Sequence, residues 1–147
     1  MKLRLLASLC AFVSASAALL AAGNHSKGPE PAQVSQGAEI SLADYLVTGK
    51  TTIFDFSSDY CGPCRGYTQP LAQLHAKRAD LAVVRVDINR PNVRGIDWKS
   101  PVAREFQLES IPHFKVYGPD GKLLAEDGAD SYAARMMVDH WIQALGQ

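Results

Sequence analysis

Two cysteines separated by only two residues are the strongest chemical signal in this 147-residue sequence. They lie in the stretch DYCGPCRGY as Cys61 and Cys64. Pro63 fits the first turn of a helix, where its missing N–H is not needed, so a helix is predicted to begin at this pair. The free N–H groups and the positive end of the helix dipole then favour the Cys61 thiolate and lower its pKa from about 8.5. Because the thiolate attacks in thiol–disulfide exchange, Cys61 is predicted to be the nucleophile and Cys64 the resolving thiol.

Three other uses of the pair fit the sequence less well. A structural zinc site needs four ligands, usually from two such pairs. A c-type haem needs a histidine directly after Cys64, where Arg65 stands. A purely structural disulfide closing so short a loop would constrain the unfolded chain little. The histidines also lack ligand spacing: His25, His75, His113 and His140. The pair is therefore predicted to be redox-active, with no metal and no cofactor.

Asp55 is the second candidate catalytic residue. It interrupts the apolar run TTIFDF, which is long enough for a strand buried on both faces. A buried carboxylate without a partner is costly, and its pKa is expected to be raised. The functional interpretation is a proton relay that takes the proton of Cys64. The alternative is a structural acid, at a wet sheet edge or paired with Arg85 on the neighbouring strand.

The first 22 residues have the anatomy of a secretory signal peptide. Lys2 and Arg4 precede an Ala- and Leu-rich run, with small residues towards its end. The alternative is an uncleaved anchor, because residues 5–22 are just long enough to span a bilayer. Cys10 lies inside this run and is predicted to leave with it. The protein is therefore expected to be periplasmic or secreted, or membrane-anchored and facing outside the cytoplasm.

The rest of the chain is expected to form one domain. Residues 23–37 are rich in Gly, Pro, Ser and Gln and are predicted to be a flexible linker, followed by a domain over residues 38–147. Without Lys2 and Arg4, thirteen Lys and Arg remain against fifteen Asp and Glu. Such a balance provides no basic face for nucleic acid.

The hydrophobic pattern predicts an alternating order of elements around the cysteines. A short helix capped by Ser41 comes first, followed by two buried strands with the cysteine helix between them. A second helix opens at Ser100 and Pro101. Two strands joined by the turn GPDG follow, and a last helix buries Met136, Met137, Trp141 and Leu145. Parallel pairing in the first half and antiparallel pairing in the second predict an α/β fold, a central mixed sheet with helices on both faces.

From about Ile40 to Leu145 the sequence resembles the thioredoxin superfamily. FDFSSDYCGPC is similar to the family's strand and active-site segment, and VAREFQLESIPHF to its helix, loop and cis-proline segment. The resemblance implies a thioredoxin fold and a cis Ile111–Pro112 bond lying against the disulfide. It also implies that substrates bind along the surface formed by Tyr60, Gly62, Pro63, Ile111 and Pro112.

Several residues depart from the family pattern. Tyr60 and Ser57 replace tryptophans, His113 stands where threonine is common, and the long loop before the second helix carries Trp98. Trp98 is interpreted either as an aromatic platform near the active site or as a cap on the core.

The Gly-Pro dipeptide resembles the reducing branch of the family. We therefore expect a monomeric protein-disulfide reductase that acts on protein thiols and disulfides. Outside the cytoplasm it would need a membrane electron-donor protein. The alternatives are a disulfide oxidase or isomerase, or a non-enzymatic copper-binding module in which His113 completes a soft site.

Overall fold

The computed structural model describes residues 25–146. Its sheet has six strands, with a short 3₁₀ helix at Leu42–Tyr45 and three α-helices. The strands are β1 Ala32–Val34, β2 Thr51–Ser57, β3 Leu81–Asp87, β4 His113–Tyr117, β5 Leu123–Gly128 and β6 Ser131–Tyr132. The helices are α1 Gly62–Lys77, α2 Pro101–Glu105 and α3 Ala133–Ala144.

The strand order is β1-β3-β2-β4-β5-β6, and the predicted mixed sheet is confirmed. β1, β2 and β3 are parallel, whereas β4 runs antiparallel to β2. Because β2 ends where β4 begins, Phe56 pairs with His113 at the same end of these two strands. The loop that leads into α1 therefore lies beside the loop that carries Pro112.

Helices cover both faces of the sheet, as predicted. Alternate residues of a strand point to opposite faces, so Phe54 and Phe56 pack in one core cluster and Ile53 in the other. The first cluster contains Val102 and Ala103 of α2. The second contains Leu71 and Leu74 of α1 together with Ala134 and Val138 of α3. Asp55 lies on the face that α1 and α3 cover.

The predicted flexible linker is wrong for residues 32–34. These residues form β1 and pair in parallel with Val84, Arg85 and Val86 of β3. Ahead of β1, the Lys27 ammonium donates hydrogen bonds to the carbonyls of His75 and of Arg78 at the end of α1. An edge strand is held mainly by backbone pairing, so a segment poor in apolar residues still joins the sheet. Residues 1–24 lie outside the described residues, and so does the predicted signal peptide.

Two local predictions are also corrected. Ser41 precedes the 3₁₀ helix, but its side chain makes no capping hydrogen bond. In α3, Met136 is 71% exposed, whereas Met137, Trp141 and Leu145 pack against the second core cluster as predicted. Within residues 25–146, no helix combines the length and apolar character needed to cross a membrane.

Candidate active site

The two cysteines lie at the start of α1, and their sulfurs form a disulfide. Cys61 is the N-cap residue, with extended backbone angles, and Pro63 lies in the first turn as predicted. The backbone N–H of Cys64 donates to the sulfur of Cys61 at 3.1 Å. This donor and the helix dipole both favour negative charge on the Cys61 sulfur when the pair is reduced.

Access to the pair comes from the helix end. Both cysteines are 2% exposed, whereas Gly62 and Pro63 between them are exposed and Tyr60 is 51% exposed. The exposed surface beside the pair is therefore formed by three of the residues for which the resemblance implied substrate binding. Cys64 lies in the first turn of α1, directly after Pro63.

Asp55 lies in the middle of β2 and is 3% exposed. Its Oδ1 has no hydrogen-bond partner in the described structure. Burial raises the pKa of Asp55 to about 7. The positive charge of Arg85 and a hydrogen bond with Ser57 lower this pKa, but by less than burial raises it. Asp55 also lines a cavity of about 200 Å³ beneath α1, which Thr68 and Leu71 border. A carboxylate with this pKa exchanges protons near neutral pH, as a relay requires.

The structural alternative for Asp55, an ion pair with Arg85, is wrong. The two residues are Cα partners across β2 and β3, yet the guanidinium turns elsewhere. Arg85 Nε donates to Ser57 Oγ at 2.8 Å, and its terminal nitrogen pairs with Asp59 at 3.0 Å. The sheet-edge alternative is also wrong, because β2 lies between β3 and β4.

The cis peptide bond implied for Ile111–Pro112 is present. The carbonyl oxygen of Ile111 lies 3.7 Å from the sulfur of Cys61. The Arg135 guanidinium donates a hydrogen bond to the carbonyl of Pro112 and so ties this loop to α3. The fold thus brings Cys61, Ile111 and Pro112 together from two loops separated by about 50 residues.

Comparison with known proteins agrees with this geometry. A family model described as Thioredoxin matches residues 39–140. The chain belongs to the thioredoxin family. It is 29% identical to a thioredoxin of Mycolicibacterium smegmatis over 92 residues, which are 62% of this chain and 77% of that protein. It is 26% identical to thioredoxin-3 of Dictyostelium discoideum over 96 residues, which are 65% of this chain and 85% of the relative.

Solved structures show the same fold. Spinach chloroplast thioredoxin f, in its short form, aligns with a TM-score of 0.53 at 17% identity, over 84% of this chain and 99% of the spinach chain. A mutant thioredoxin from Halobacterium salinarum aligns with a TM-score of 0.52 at 22% identity, over 85% and 97% of the two chains. The family match and the thioredoxin relatives, together with the Cys61–Cys64 disulfide, show a thioredoxin-type thiol:disulfide oxidoreductase with a redox disulfide pair.

The departures from the thioredoxin pattern have different structural consequences. Ser57 is 1% exposed, and its hydroxyl accepts the hydrogen bond of Arg85. His113 is 8% exposed and its ring meets Phe56 edge-on, with centroids 5.7 Å apart. Burial lowers the pKa of His113. Trp98 is 40% exposed and has no ring contact or side-chain hydrogen bond among residues 25–146, so its role as a platform stays a prediction.

The copper-binding interpretation has no cluster to support it in the described part of the chain. In residues 25–146, no group of three or more His, Cys, Asp or Glu side chains is arranged to hold a metal ion.

Sequence reasoning missed the side chains that hold the active-site loops in place. Ser58 Oγ donates to Asn89 Oδ1 at 2.7 Å and accepts from the N–H of Tyr60 at 3.1 Å. Asn89 Nδ2 in turn donates to the carbonyl of Gly95 at 2.6 Å. The long loop is thus bonded directly to the loop that precedes Cys61. The signal available in the sequence was that polar residues, such as Ser58 and Asn89, closely follow the apolar strand segments.

Asp127 was missed as well. It is 3% exposed, and its two carboxylate oxygens accept the backbone N–H groups of Phe114 at 3.0 Å and Arg135 at 2.9 Å. These bonds join the strand after Pro112 to the start of α3. No sequence motif marks this residue, because its partners are backbone groups.

Proposed function

We propose that the protein reduces disulfide bonds of other proteins outside the cytoplasm, with Cys61 as nucleophile and Cys64 as resolving thiol. The observation that carries the proposal is the 3.1 Å hydrogen bond from the Cys64 N–H to the Cys61 sulfur at the start of α1. This bond stabilises charge on the sulfur of Cys61, the residue that lies between the exposed Tyr60 and Gly62 in the chain. It supports the assignment of the two roles.

The reaction transfers two electrons from the dithiol to the substrate. The Cys61 thiolate attacks one sulfur of the substrate disulfide, forms a mixed disulfide and expels the other sulfur as a thiolate. Asp55 then takes the proton of Cys64, and the Cys64 thiolate attacks the Cys61 sulfur. The second substrate sulfur leaves as a thiolate, and the Cys61–Cys64 disulfide forms. The structure corresponds to this oxidised product.

The proposed location rests on residues 1–22, whose pattern is typical of an export signal or of an uncleaved anchor. An exported reductase is separated from cytoplasmic reductants, so we propose that a membrane protein supplies its electrons. We further propose that the protein acts as a monomer. N-terminal sequencing of the protein from extracytoplasmic, membrane and cytoplasmic fractions tests the location. A start near Gly23 supports cleavage and export, an intact Met1 in the membrane supports the anchor, and an intact cytoplasmic chain contradicts both.

Trapping of mixed disulfides tests the assignment of the cysteines. Cys64→Ser is expected to accumulate mixed disulfides between Cys61 and substrate proteins, because nothing resolves them. Cys61→Ser is expected to lose both disulfide reduction and trapping. Non-reducing gels with wild-type protein and the double variant as controls provide the measurement. Trapping by Cys61→Ser in place of Cys64→Ser would contradict the proposed roles.

The direction of electron flow needs a separate measurement. Equilibration of the Cys61–Cys64 couple with glutathione and dithiothreitol gives its reduction potential. A reductase is expected to lie near thioredoxins, at about −270 mV, whereas a value near about −120 mV is typical of a disulfide oxidase. A value at the oxidising end would replace the reductase proposal with the oxidase alternative.

A further inference from the structure

The Arg135 side chain lies in the first turn of α3 and reaches across to the cis-proline loop. Its guanidinium donates a hydrogen bond to the carbonyl oxygen of Pro112. The side chain is 26% exposed, so most of it lies within the protein. Cys61, Cys64 and Asp55 account for the electron and proton transfers, and this cation takes part in neither.

The guanidinium is directed to Pro112 although a carboxylate lies nearby. Arg135 Nε is 3.9 Å from the Asp127 carboxylate, which is too far for a hydrogen bond. Both oxygens of Asp127 already accept backbone N–H groups. Nε is buried and has no acceptor among residues 25–146, which costs free energy. The side chain is therefore placed for its bond to the Pro112 carbonyl rather than for a close pair with Asp127.

Two further contacts fix the position of the guanidinium. The Tyr132 ring lies over it, with 4.7 Å between the ring centroid and Arg135 Cζ, and a ring face attracts positive charge. The backbone N–H of Arg135 donates to Asp127 Oδ1 at 2.9 Å, which holds the start of α3 beside β5. The bond to Pro112 therefore starts from a group that is itself held in place.

The loop that receives this bond has no ladder of its own. Ile111 and Pro112 belong to the connection between α2 and β4 and lie outside any helix or strand. The pairing of β4 with β2 begins only at His113, opposite Phe56. Individual bonds must therefore position the loop, and the bond from Arg135 is one of them. A hydrogen bond from a charged donor is about twice as strong as one between neutral groups.

The position of the loop matters because it faces the nucleophile. The carbonyl oxygen of Ile111 lies 3.7 Å from the Cys61 sulfur. Pro112 is the next residue in the chain, so a shift of its carbonyl also shifts the Ile111 backbone relative to this sulfur. A misplacement of about 1 Å in a group that positions a substrate can slow a reaction by about 100-fold.

We propose that Arg135 is a positioning residue for polypeptide substrates. Its bond to Pro112 holds the Ile111 backbone beside Cys61, on the surface where the substrate chain lies. Arg135 does not touch the reacting sulfurs, so it affects the placement of the polypeptide and not the thiol–disulfide exchange itself. The inference rests on the proposed function, because it takes a polypeptide disulfide as the substrate.

Two disulfides of different size test this role. Insulin presents its disulfides within a polypeptide, whereas hydroxyethyl disulfide has no chain that could lie along Ile111. The measured quantity is the second-order rate constant for reduction of each by the reduced protein. In Arg135→Ala the rate with insulin is expected to fall about tenfold, as for the loss of a charge-assisted hydrogen bond. The rate with hydroxyethyl disulfide should change by less than about twofold, because the sulfurs keep their surroundings.

Arg78→Ala is the matched control. Arg78 also pairs with an aspartate, Asp80 at 2.6 Å, but it lies at the opposite end of α1 from the cysteines. Both rates should stay at their wild-type values in this variant. Arg135→Lys keeps a charged donor and should recover part of the insulin rate. If Arg135→Ala does not fold, the lysine variant should still show a smaller loss that is confined to insulin.

The contrary results are distinct from one another. An unchanged insulin rate in Arg135→Ala, or an equal loss with both disulfides, would overturn the positioning role. A lysine variant as slow as the alanine variant would contradict the bond to Pro112 as its cause. Wild-type protein that reduces hydroxyethyl disulfide but not insulin would instead contradict the proposed function.

The order of the loop has its own measurement. The ¹⁵N relaxation of the Ile111 amide gives an order parameter, which is about 0.85 for a rigid backbone and below about 0.6 for a flexible one. The value should lie near the rigid limit in wild-type protein and in Arg78→Ala, and should fall in Arg135→Ala. An Ile111 order parameter that is the same in all three proteins would overturn the assignment of Arg135 to the loop.

Discussion

Two buried aspartates lie on β2 and β5, the strands on either side of β4, and their hydrogen bonding differs. Asp55 and Asp127 are each 3% exposed. Asp127 has a backbone N–H donor for each carboxylate oxygen. Asp55 has an oxygen without a partner among residues 25–146, because the nearby Arg85 turns to Ser57 and Asp59.

We propose that this difference separates a structural carboxylate, Asp127, from a catalytic one, Asp55. Bonds to fixed N–H groups hold Asp127 in one place and join β4 to α3. Burial raises the pKa of Asp55 to about 7, where a carboxyl can exchange protons with a thiol. Two equally buried carboxyls are therefore compatible with opposite roles, and their hydrogen-bond partners distinguish them.

The largest expected effect is the loss of Asp127. Asp127→Ala leaves the N–H groups of Phe114 and Arg135 buried without acceptors, at about 1–3 kcal/mol each. The free energy of unfolding should fall by about 2–6 kcal/mol in urea denaturation. Asp127→Asn keeps only one acceptor oxygen, so its free energy of unfolding should fall by about half as much as that of Asp127→Ala. A loss below about 1 kcal/mol in Asp127→Ala would contradict the structural role.

Removal of the Asp55 charge should instead raise the free energy of unfolding. The folded pKa of about 7 lies above the unfolded value of 3.8. The cost of the buried charge is therefore absent below pH 3.8, grows as the pH rises towards 7 and is constant above it. Asp55→Asn should stabilise the fold at pH 7 by about 2–4 kcal/mol, with no gain below pH 4. Urea denaturation at both pH values measures this difference, and a destabilised variant at pH 7 would contradict it.

The smallest expected effect concerns the position of Arg85. Asp59 is an exposed partner, so Asp59→Asn should change the free energy of unfolding by less than about 1 kcal/mol. The freed guanidinium lines the same cavity as Asp55, and it should lower the pKa of that carboxyl. Carboxyl ¹³C titration of Asp55 measures the shift. Asp44→Asn, which removes another exposed charge, is the control, and an unchanged or raised pKa in Asp59→Asn would contradict the account.

The sequence predicted the parts of the site that depend on local chemistry. Pro63 between two cysteines marks a helix start, and Asp55 in an apolar run marks a buried charge. Both inferences need only neighbouring residues. The family resemblance added Pro112, which local patterns would have assigned to an ordinary strand edge.

The remaining features depend on contacts between distant segments. β1 has only three residues within a stretch rich in Gly, Pro, Ser and Gln, so the composition indicated a linker, whereas pairing with β3 holds the strand. The bonds of Asp127 and Asn89 go mainly to backbone groups whose positions follow from the complete fold. The choice of Arg85 between Asp55 and Asp59 depends on side-chain direction, which the strand register alone does not determine.

The rate of disulfide reduction by wild-type protein and Asp55→Asn, measured with insulin from pH 5 to 9, tests the central claim most directly. If Asp55 carries the proton of Cys64, the ratio of the two rates should increase through about pH 7 as the carboxyl ionises. Wild-type protein should then be faster by about tenfold or more near pH 7.5. Equal rates at every pH, or a constant ratio across this range, would contradict the proton-relay role of Asp55.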